Sequence, residues 1–161
     1  MGQSGDKVEV SGSVFTGPMR EGDFTWMIEQ PEHSRTLFVF NDNEEQFLAF
    51  MSGDRTIACV RGGGNASVRP YQCHQPFPRA AGIPTGSNGQ GYQELDDRVR
   101  HIVDEAISRI NDLIRSGNYE KIVFSKDPDL PTLGTGIFNP SNDVKAYVYT
   151  SLMKLNEITT D

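Results

Sequence analysis

The sequence predicts an α/β fold, because short apolar strand patterns alternate with an amphipathic helix pattern along the chain. The clearest helix pattern covers residues 95–114, where apolar residues recur every three or four positions and Gly117 follows as a C-terminal cap. The apolar run within residues 121–125 then predicts a buried strand. Apolar positions between residues 144 and 155 predict a second helix, with residue 141 or 142 as N-cap.

The first half of the chain contains shorter patterns. Residues 8–15 alternate between apolar and polar side chains and predict the first strand. The apolar runs at residues 36–40 and 57–60 are both typical of short buried strands. Residues 24–29 fit either a strand or a short helix, and residues 70–91, rich in proline and glycine, predict loops around one short element.

A chain of 161 residues predicts a single domain, in which the placement of residues 1–35 is the least defined part. The formal charge of −7 and the absence of a basic stripe argue against a nucleic-acid partner. No run of apolar residues is long enough for a membrane span, so no membrane partner is expected. The first ten residues lack the basic-then-apolar pattern of a secretory signal, and we therefore expect a cytoplasmic protein.

The two cysteines, Cys59 and Cys73, are 14 positions apart, which is not a metal-binding spacing. In a cytoplasmic protein reduced thiols are the expected state, with a disulfide as the alternative. The three histidines, His33, His74 and His101, are scattered and show no ligand pattern. We predict neither a metal site nor a cofactor.

The loop at residues 133–140 follows the last predicted strand and contains Gly134, Thr135 and Gly136. Glycines on both sides of a threonine allow successive backbone N–H groups to converge on one anion, and a helix N-terminus follows. Ligands of open α/β sheets bind outside the carboxyl ends of the strands, where this loop lies. An ordinary turn that needs flexible residues is the alternative interpretation.

Three further segments have a functional and a plain structural interpretation. The glycines at 62–64 permit close approach of a ligand, or form a surface hairpin. The polar residues at 41–43 follow an apolar strand and suit ribose hydroxyls, or an Asx-turn. The apolar segment at 79–86, with glycine and proline at its edges, lines a pocket or forms a corner.

The segment at 133–140, together with the helix predicted after it, resembles the phosphate loop and last helix of macrodomains, a family that binds ADP-ribose. Upstream, the segments at 39–43, 63–66 and 82–85 and the residue Arg69 resemble a compact macrodomain-like group of bacteria and their phages. That group pairs a strand ending in Gly-Asp-Asn with a GGQA-type segment, an arginine and a GIPT segment.

The resemblance extends over residues 37–155 in the same order and implies a three-layer α/β/α fold with a mixed central sheet. Two positions depart from the compact group, because Asn41 stands in place of its glycine and Asn65 in place of its glutamine. The asparagine pair of hydrolytic macrodomains has no clear counterpart here. This difference favours binding over catalysis.

By resemblance, Asn43 lies near the distal ribose, and Asp23 faces the adenine. Residues 62–64 match the first glycine-rich loop of the family, and residues 134–138 clasp the diphosphate and stack near that ribose. The predicted ligand-binding residues are Asn41, Asp42, Asn43, Gly62, Gly63, Gly64, Asn65, Arg69, Pro84, Thr85, Leu133, Gly134, Thr135, Gly136, Ile137 and Phe138.

The function expected first is binding of ADP-ribose or a related NAD-derived nucleotide, extended by analogy to sequestration of a signalling nucleotide in a phage or bacterial setting. The alternative is an ADP-ribosyl hydrolase, for which Asp42, Asn43 and Asp127 are the catalytic candidates. A non-catalytic interaction domain is the third possibility.

Overall fold

The structure is a computed structural model that describes residues 7–158. Its main sheet has four strands in the order β1-β6-β2-β3, and every neighbouring pair is parallel. A separate antiparallel hairpin consists of β4 and β5. The strands are β1 (Glu9–Ser13), β2 (Thr36–Asp42), β3 (Ala80–Pro84), β4 (Gly86–Ser87), β5 (Gln90–Gly91) and β6 (Lys121–Ser125).

Helices lie on both faces of the main sheet. The α-helices are α1 (Phe24–Met27), α2 (Glu44–Met51), α3 (Arg55–Ala58), α4 (Asp97–Arg115) and α5 (Asn142–Met153). Shorter 3-10 segments are formed by Pro31–His33, Gly64–Cys73 and Lys154–Glu157. No helix within residues 7–158 is long and apolar enough to cross a membrane.

The two faces of β2 pack into different apolar clusters, because side chains alternate along a strand. Leu37 and Val39 belong to the larger cluster, which β2 shares with the buried residues of α2, α4 and α5. Phe38 and Phe40 belong to the smaller cluster, which contains α1 and part of the 3-10 segment at Gly64–Cys73. Residues 37–40 are at most 2% exposed, as the apolar run predicts. The predicted α/β class is therefore confirmed.

Side-chain caps determine where the longer helices begin. Asp96 caps α4 by accepting a hydrogen bond from the N–H of Val99 at 2.9 Å, and Gly117 follows the helix at φ +83°. Ser141, one of the two predicted N-caps, accepts from the N–H of Val144 at 3.4 Å and begins α5. Both predicted helices and the strand between them are confirmed.

The structure corrects two predictions about secondary structure. The sheet implied by the resemblance is mixed, whereas all pairs in the main sheet are parallel and the antiparallel pairing lies in the separate hairpin β4–β5. Residues 57–60 were expected to form a buried strand, but Ile57 lies in α3. Asp54 caps this short helix through the N–H of Thr56, and Ile57 and Val60 are about half exposed, so their apolar character does not mark a core strand.

The cysteines form a disulfide, and the prediction of reduced thiols is wrong in this structure. Their spacing in sequence carries no information about distance in space, whereas the fold brings the Cα atoms of Cys59 and Cys73 to 6.1 Å. That separation lies within the range that a disulfide spans. The expectation of a cytoplasmic location remains a prediction.

Candidate functional site

A cleft of about 930 Å³ opens at the carboxyl-terminal edge of the main sheet. Because the four strands are parallel, the residues that follow them meet at this edge. Phe15 follows β1, Asn43 follows β2, Thr85 follows β3 and Lys126 follows β6, and all four line the cleft. Both glycine-rich loops complete its walls.

Most of the residues predicted from the sequence line this cleft. Two do not: Leu133 is buried in the larger apolar cluster, and Pro84 pairs with Asp42 at the end of β3. The predicted residues that line the cleft are Asn41, Asp42, Asn43, Gly62, Gly63, Gly64, Asn65, Arg69, Thr85, Gly134, Thr135, Gly136, Ile137 and Phe138, and the candidates Asp23 and Asp127 line it as well.

The second glycine-rich loop exposes a run of backbone donors. Gly134 donates its N–H to the carbonyl of Ser125 at 2.8 Å, which fixes the start of the loop against β6. The four N–H groups that follow, at 135–138, donate to no residue within 7–158. A Cβ at Gly136 would meet nothing within 4 Å, so the backbone there faces open space. The φ angle of Gly136 is not positive, so the backbone conformation does not require glycine at this position. What distinguishes Gly136 is the open space next to its Cα atom.

The first glycine-rich loop lies against the second one. A Cβ at Gly63 would come within 2.5 Å of the terminal carbon of Ile137, whose side chain is 71% exposed. Gly64 has a φ of +57°, a conformation that glycine adopts without strain. A Cβ at Gly62 would lie 2.6 Å from a guanidinium nitrogen of Arg69. Backbone conformation thus accounts for Gly64 and close packing against Arg69 for Gly62, whereas the exposed Ile137 side chain could move away from a Cβ at Gly63.

Asn41 and Asn65 join the two loops to the sheet through their side chains. The Oδ1 atom of Asn65 accepts the N–H of Asn41 at 2.9 Å, and its Nδ2 atom donates to Asn41 Oδ1 at 3.2 Å and to Ser125 Oγ at 2.9 Å. Asn41 Nδ2 donates in turn to the carbonyl of Gly134 at 2.9 Å. Both amides therefore act within the protein, which differs from the ligand-contacting role expected for them.

Asp42 forms a buried ion pair with Arg69. The Oδ1 atom of Asp42 accepts Arg69 Nη2 at 2.9 Å and Nε at 3.2 Å, and their side chains are 0% and 5% exposed. Burial raises the pKa of Asp42, while the Arg69 guanidinium opposes that shift. A Cβ at Gly82 would lie 2.7 Å from Asp42 Oδ2, so the glycine of β3 leaves room for the carboxylate.

The far oxygen of this carboxylate has no hydrogen-bond partner within the described residues, and neither has Arg109 Nη1 of α4. Burial lowers the pKa of Arg109 to about 10, and the charge of Asp42 opposes the shift. The Arg109 guanidinium lies over the ring of Phe50, 4.2 Å from its centroid. A second cation therefore supports the Asp42 carboxylate electrostatically from the α4 side.

The other two catalytic candidates also form hydrogen bonds within the protein, Asp127 through its Oδ1 atom alone. Asn43 caps α2, because its Oδ1 accepts the N–H of Gln46 at 2.8 Å and its Nδ2 donates to Gln46 Oε1 at 2.6 Å. Asp127 accepts the N–H groups of Asp129 and Leu130 at 2.9 and 3.0 Å. Those two bonds lower the pKa of Asp127 and form a turn beside the cleft.

The end of the cleft next to β1 is apolar, and the sequence did not predict this part of the lining. It is formed by Phe15, which is 63% exposed, together with Val14, Pro18 and the α1 residue Phe24. Asp23 lies here, but its two carboxylate oxygens accept the N–H groups of Thr25 and Met19.

Gln46, Ser125 and Lys126 were also missed. The reciprocal spacing of Asn43 and Gln46 resembles a capping box and was a readable signal for α2. Ser125 and Lys126 end the predicted strand β6, and their position at the carboxyl edge was a second such signal.

Among residues 7–158, no group of three or more histidine, cysteine or acidic side chains is placed to hold a metal ion. Comparison of the chain with protein-family models, with curated proteins and with solved structures found no match.

Proposed function

We propose that the cleft binds ADP-ribose or a closely related NAD-derived nucleotide. The observation that carries this proposal is the run of four backbone N–H groups at 135–138, which have no partner among residues 7–158 and lie beside the glycines at 62–64 in the lining of the cleft. Free backbone donors in a glycine-rich loop suit the oxygens of a diphosphate.

The rest of the cleft offers suitable surroundings for both ends of such a nucleotide. The exposed ring of Phe15 provides an aromatic face for a base at one end. Gln46 and Asn43, the N-cap of α2, provide polar surface for a ribose at the other end of the cleft, close to the buried Thr85. A volume of about 930 Å³ lies within the range of small-molecule sites.

The lining of the cleft is formally neutral, because Arg61, Arg69 and Lys126 are matched by Asp23, Asp42 and Asp127, whereas the chain as a whole carries a formal charge of −7. Arg69 is held by Asp42, so Arg61 and Lys126 are the cations available to an anionic ligand. Lys126 Nζ donates to the carbonyls of Asp127 and Leu130 at 2.9 and 3.2 Å. A diphosphate at this site would therefore depend on these two side chains and on backbone N–H groups.

Binding is a better match to this geometry than hydrolysis. A general base needs a free acceptor within hydrogen-bond reach of the attacking water. The Asp42 side chain is 0% exposed, so water cannot reach its unpartnered Oδ2, and Asn43 holds the start of α2. Asp127 already accepts two backbone N–H groups through Oδ1, which leaves its Oδ2 as the remaining acceptor of that side chain. Turnover of an ADP-ribosylated substrate that survives in the Asp42→Asn and Asp127→Asn variants would exclude both carboxylates as the base.

Titration calorimetry with ADP-ribose, its cyclic isomers and NAD tests the proposal. We expect heat with at least one of them, and a ligand at 100 times its Kd stabilises the folded chain by about 2.7 kcal/mol. An interaction domain that uses its glycines only for turns gives no heat and no rise in Tm with any nucleotide. That result would refute the proposed function.

A further inference from the structure

The disulfide closes a covalent ring around the first glycine-rich loop. Cys59 is the residue after α3, and Cys73 is the last residue of the 3-10 segment at Gly64–Cys73. The ring between them contains the cleft residues Arg61, Gly62, Gly63, Gly64, Asn65, Ala66 and Arg69. One whole wall of the cleft is thus enclosed by a single disulfide.

Within the ring, few other interactions hold the segment at 58–62 in place. Arg69 Nη1 donates to the carbonyl of Val60 at 3.1 Å, and the N–H of Gly62 donates to the carbonyl of Ala66 at 3.0 Å. Gln72 Nε2 donates to the carbonyl of Ala58 at 2.6 Å. Ala58 is buried and Val60 is 51% exposed, so apolar packing holds the start of this segment but not residue 60. The disulfide is a covalent constraint on this part of the wall.

We propose that the Cys59–Cys73 disulfide is a redox switch for the nucleotide cleft, which rests on the proposed function. A dithiol reductant transfers two electrons and two protons to the cystine. The chain gains two thiols, and the dithiol becomes a disulfide. Both cysteines are partly exposed, so a reductant can reach the sulfur atoms.

The direction of the switch follows from chain entropy. The disulfide limits the conformations open to residues 60–64, and its reduction restores some of them, whereas residues 66–69 stay buried and Arg69 stays paired with Asp42. A nucleotide must then order residues 60–64 as it binds, and this cost lowers its affinity. The Asn65 bonds to Asn41 and Ser125 retain the far end of the loop, so reduction weakens the wall without unfolding the domain.

Calorimetry with ADP-ribose on the oxidised and the fully reduced chain tests this inference. We expect reduction to raise Kd by about tenfold, which corresponds to about 1.4 kcal/mol. The double variant Cys59→Ser/Cys73→Ser should bind like the reduced chain, and reductant should leave its Kd unchanged. Equal Kd values for the oxidised and reduced chains would overturn the switch.

Hydrogen exchange without any ligand separates this inference from the proposed function. We expect the amides of residues 60–66 to exchange faster after reduction, while those of α4 stay unchanged. Unchanged exchange at 60–66 would refute the switch, whatever the cleft binds. Faster exchange at 60–66, combined with no heat from any nucleotide in either state, would refute the proposed function and show a redox-controlled loop of another purpose.

Discussion

The side chain of Asn65 forms two hydrogen bonds with Asn41, one to the backbone N–H at 2.9 Å and one to Oδ1 at 3.2 Å. If the resemblance to the compact macrodomain-like group holds, these are the positions at which asparagine replaces its glycine and its glutamine. The two departures are therefore in direct contact, and each supplies the partner that the other needs. Through Ser125 and Gly134 the same pair ties both glycine-rich loops to β6 and β2.

A double-mutant cycle on this pair should reveal strong coupling. We expect Asn41→Ala and Asn65→Ala to destabilise the chain together by less than the sum of their separate effects, with a coupling of about 1 kcal/mol. Urea unfolding of the four chains measures it. Asn111→Ala on α4, outside this network, is the control and should add independently. If the losses of stability caused by Asn41→Ala and Asn65→Ala simply add, the two side chains do not support each other as expected.

Loss of the Arg69 guanidinium should destabilise the fold strongly. Arg69→Met leaves the Asp42 carboxylate buried without its closest counter-charge, which costs about 3–5 kcal/mol. Urea unfolding at neutral pH measures this deficit. Asp42→Asn/Arg69→Met removes both charges and should recover part of it. A deficit below about 1 kcal/mol for Arg69→Met would show that Arg69 is not the main support of Asp42.

The same variant gives a pH dependence with a definite sign. Burial already raises the pKa of Asp42, and removal of Arg69 raises it further. A carboxyl whose folded-state pKa is raised above its unfolded value loses stability as pH rises through the folded pKa. The deficit of Arg69→Met relative to the parent should therefore shrink as pH falls from the raised folded pKa of Asp42 towards about pH 4, the unfolded pKa of aspartate, and should change little below that. A deficit that grows on acidification would contradict this assignment.

Alanine should destabilise the fold at Gly134 but leave its stability almost unchanged at Gly136. A Cβ at Gly134 would lie 2.8 Å from the carbonyl carbon and oxygen of Lys126, so Gly134→Ala should destabilise by about 1–3 kcal/mol. A Cβ at Gly136 meets nothing within 4 Å, so Gly136→Ala should stay within about 0.5 kcal/mol of the parent. Chemical unfolding measures both.

The Gly136 variant also tests the phosphate loop. The added methyl group occupies the open space in which we place the diphosphate, so Gly136→Ala should weaken ADP-ribose binding although the fold is intact. Calorimetry measures the change. Unchanged affinity would move the phosphates away from this loop.

Phe15 should contribute to nucleotide affinity but not to stability. The ring is 63% exposed at the apolar end of the cleft, so its removal leaves no cavity in the core. Base–aromatic stacking is worth about 1–3 kcal/mol, and Phe15→Ala should raise the Kd for ADP-ribose by at least about fivefold. Leu130→Ala, at an exposed residue outside the cleft lining, is the control and should leave Kd unchanged.

Periodicity allowed the regular part of the fold to be predicted. The long helix α4 and the strands β2 and β6 have patterns that fit one secondary structure, because their buried faces are continuous. The helix α3 was assigned wrongly, since Ile57 is apolar but exposed and four residues show no period. The helix α2 was missed, although Asn43 and Gln46 carry a capping signal.

The sequence by itself determined the α/β class and the order of glycine-rich segments that reach the carboxyl edge of the sheet. Only the tertiary structure decided what each side chain does there. Asp42 pairs with Arg69, Asn41 with Asn65 and Cys59 with Cys73, across separations of 27, 24 and 14 residues. Local patterns encode secondary structure because their contacts are short-range, whereas these partners meet only when segments distant in sequence pack together.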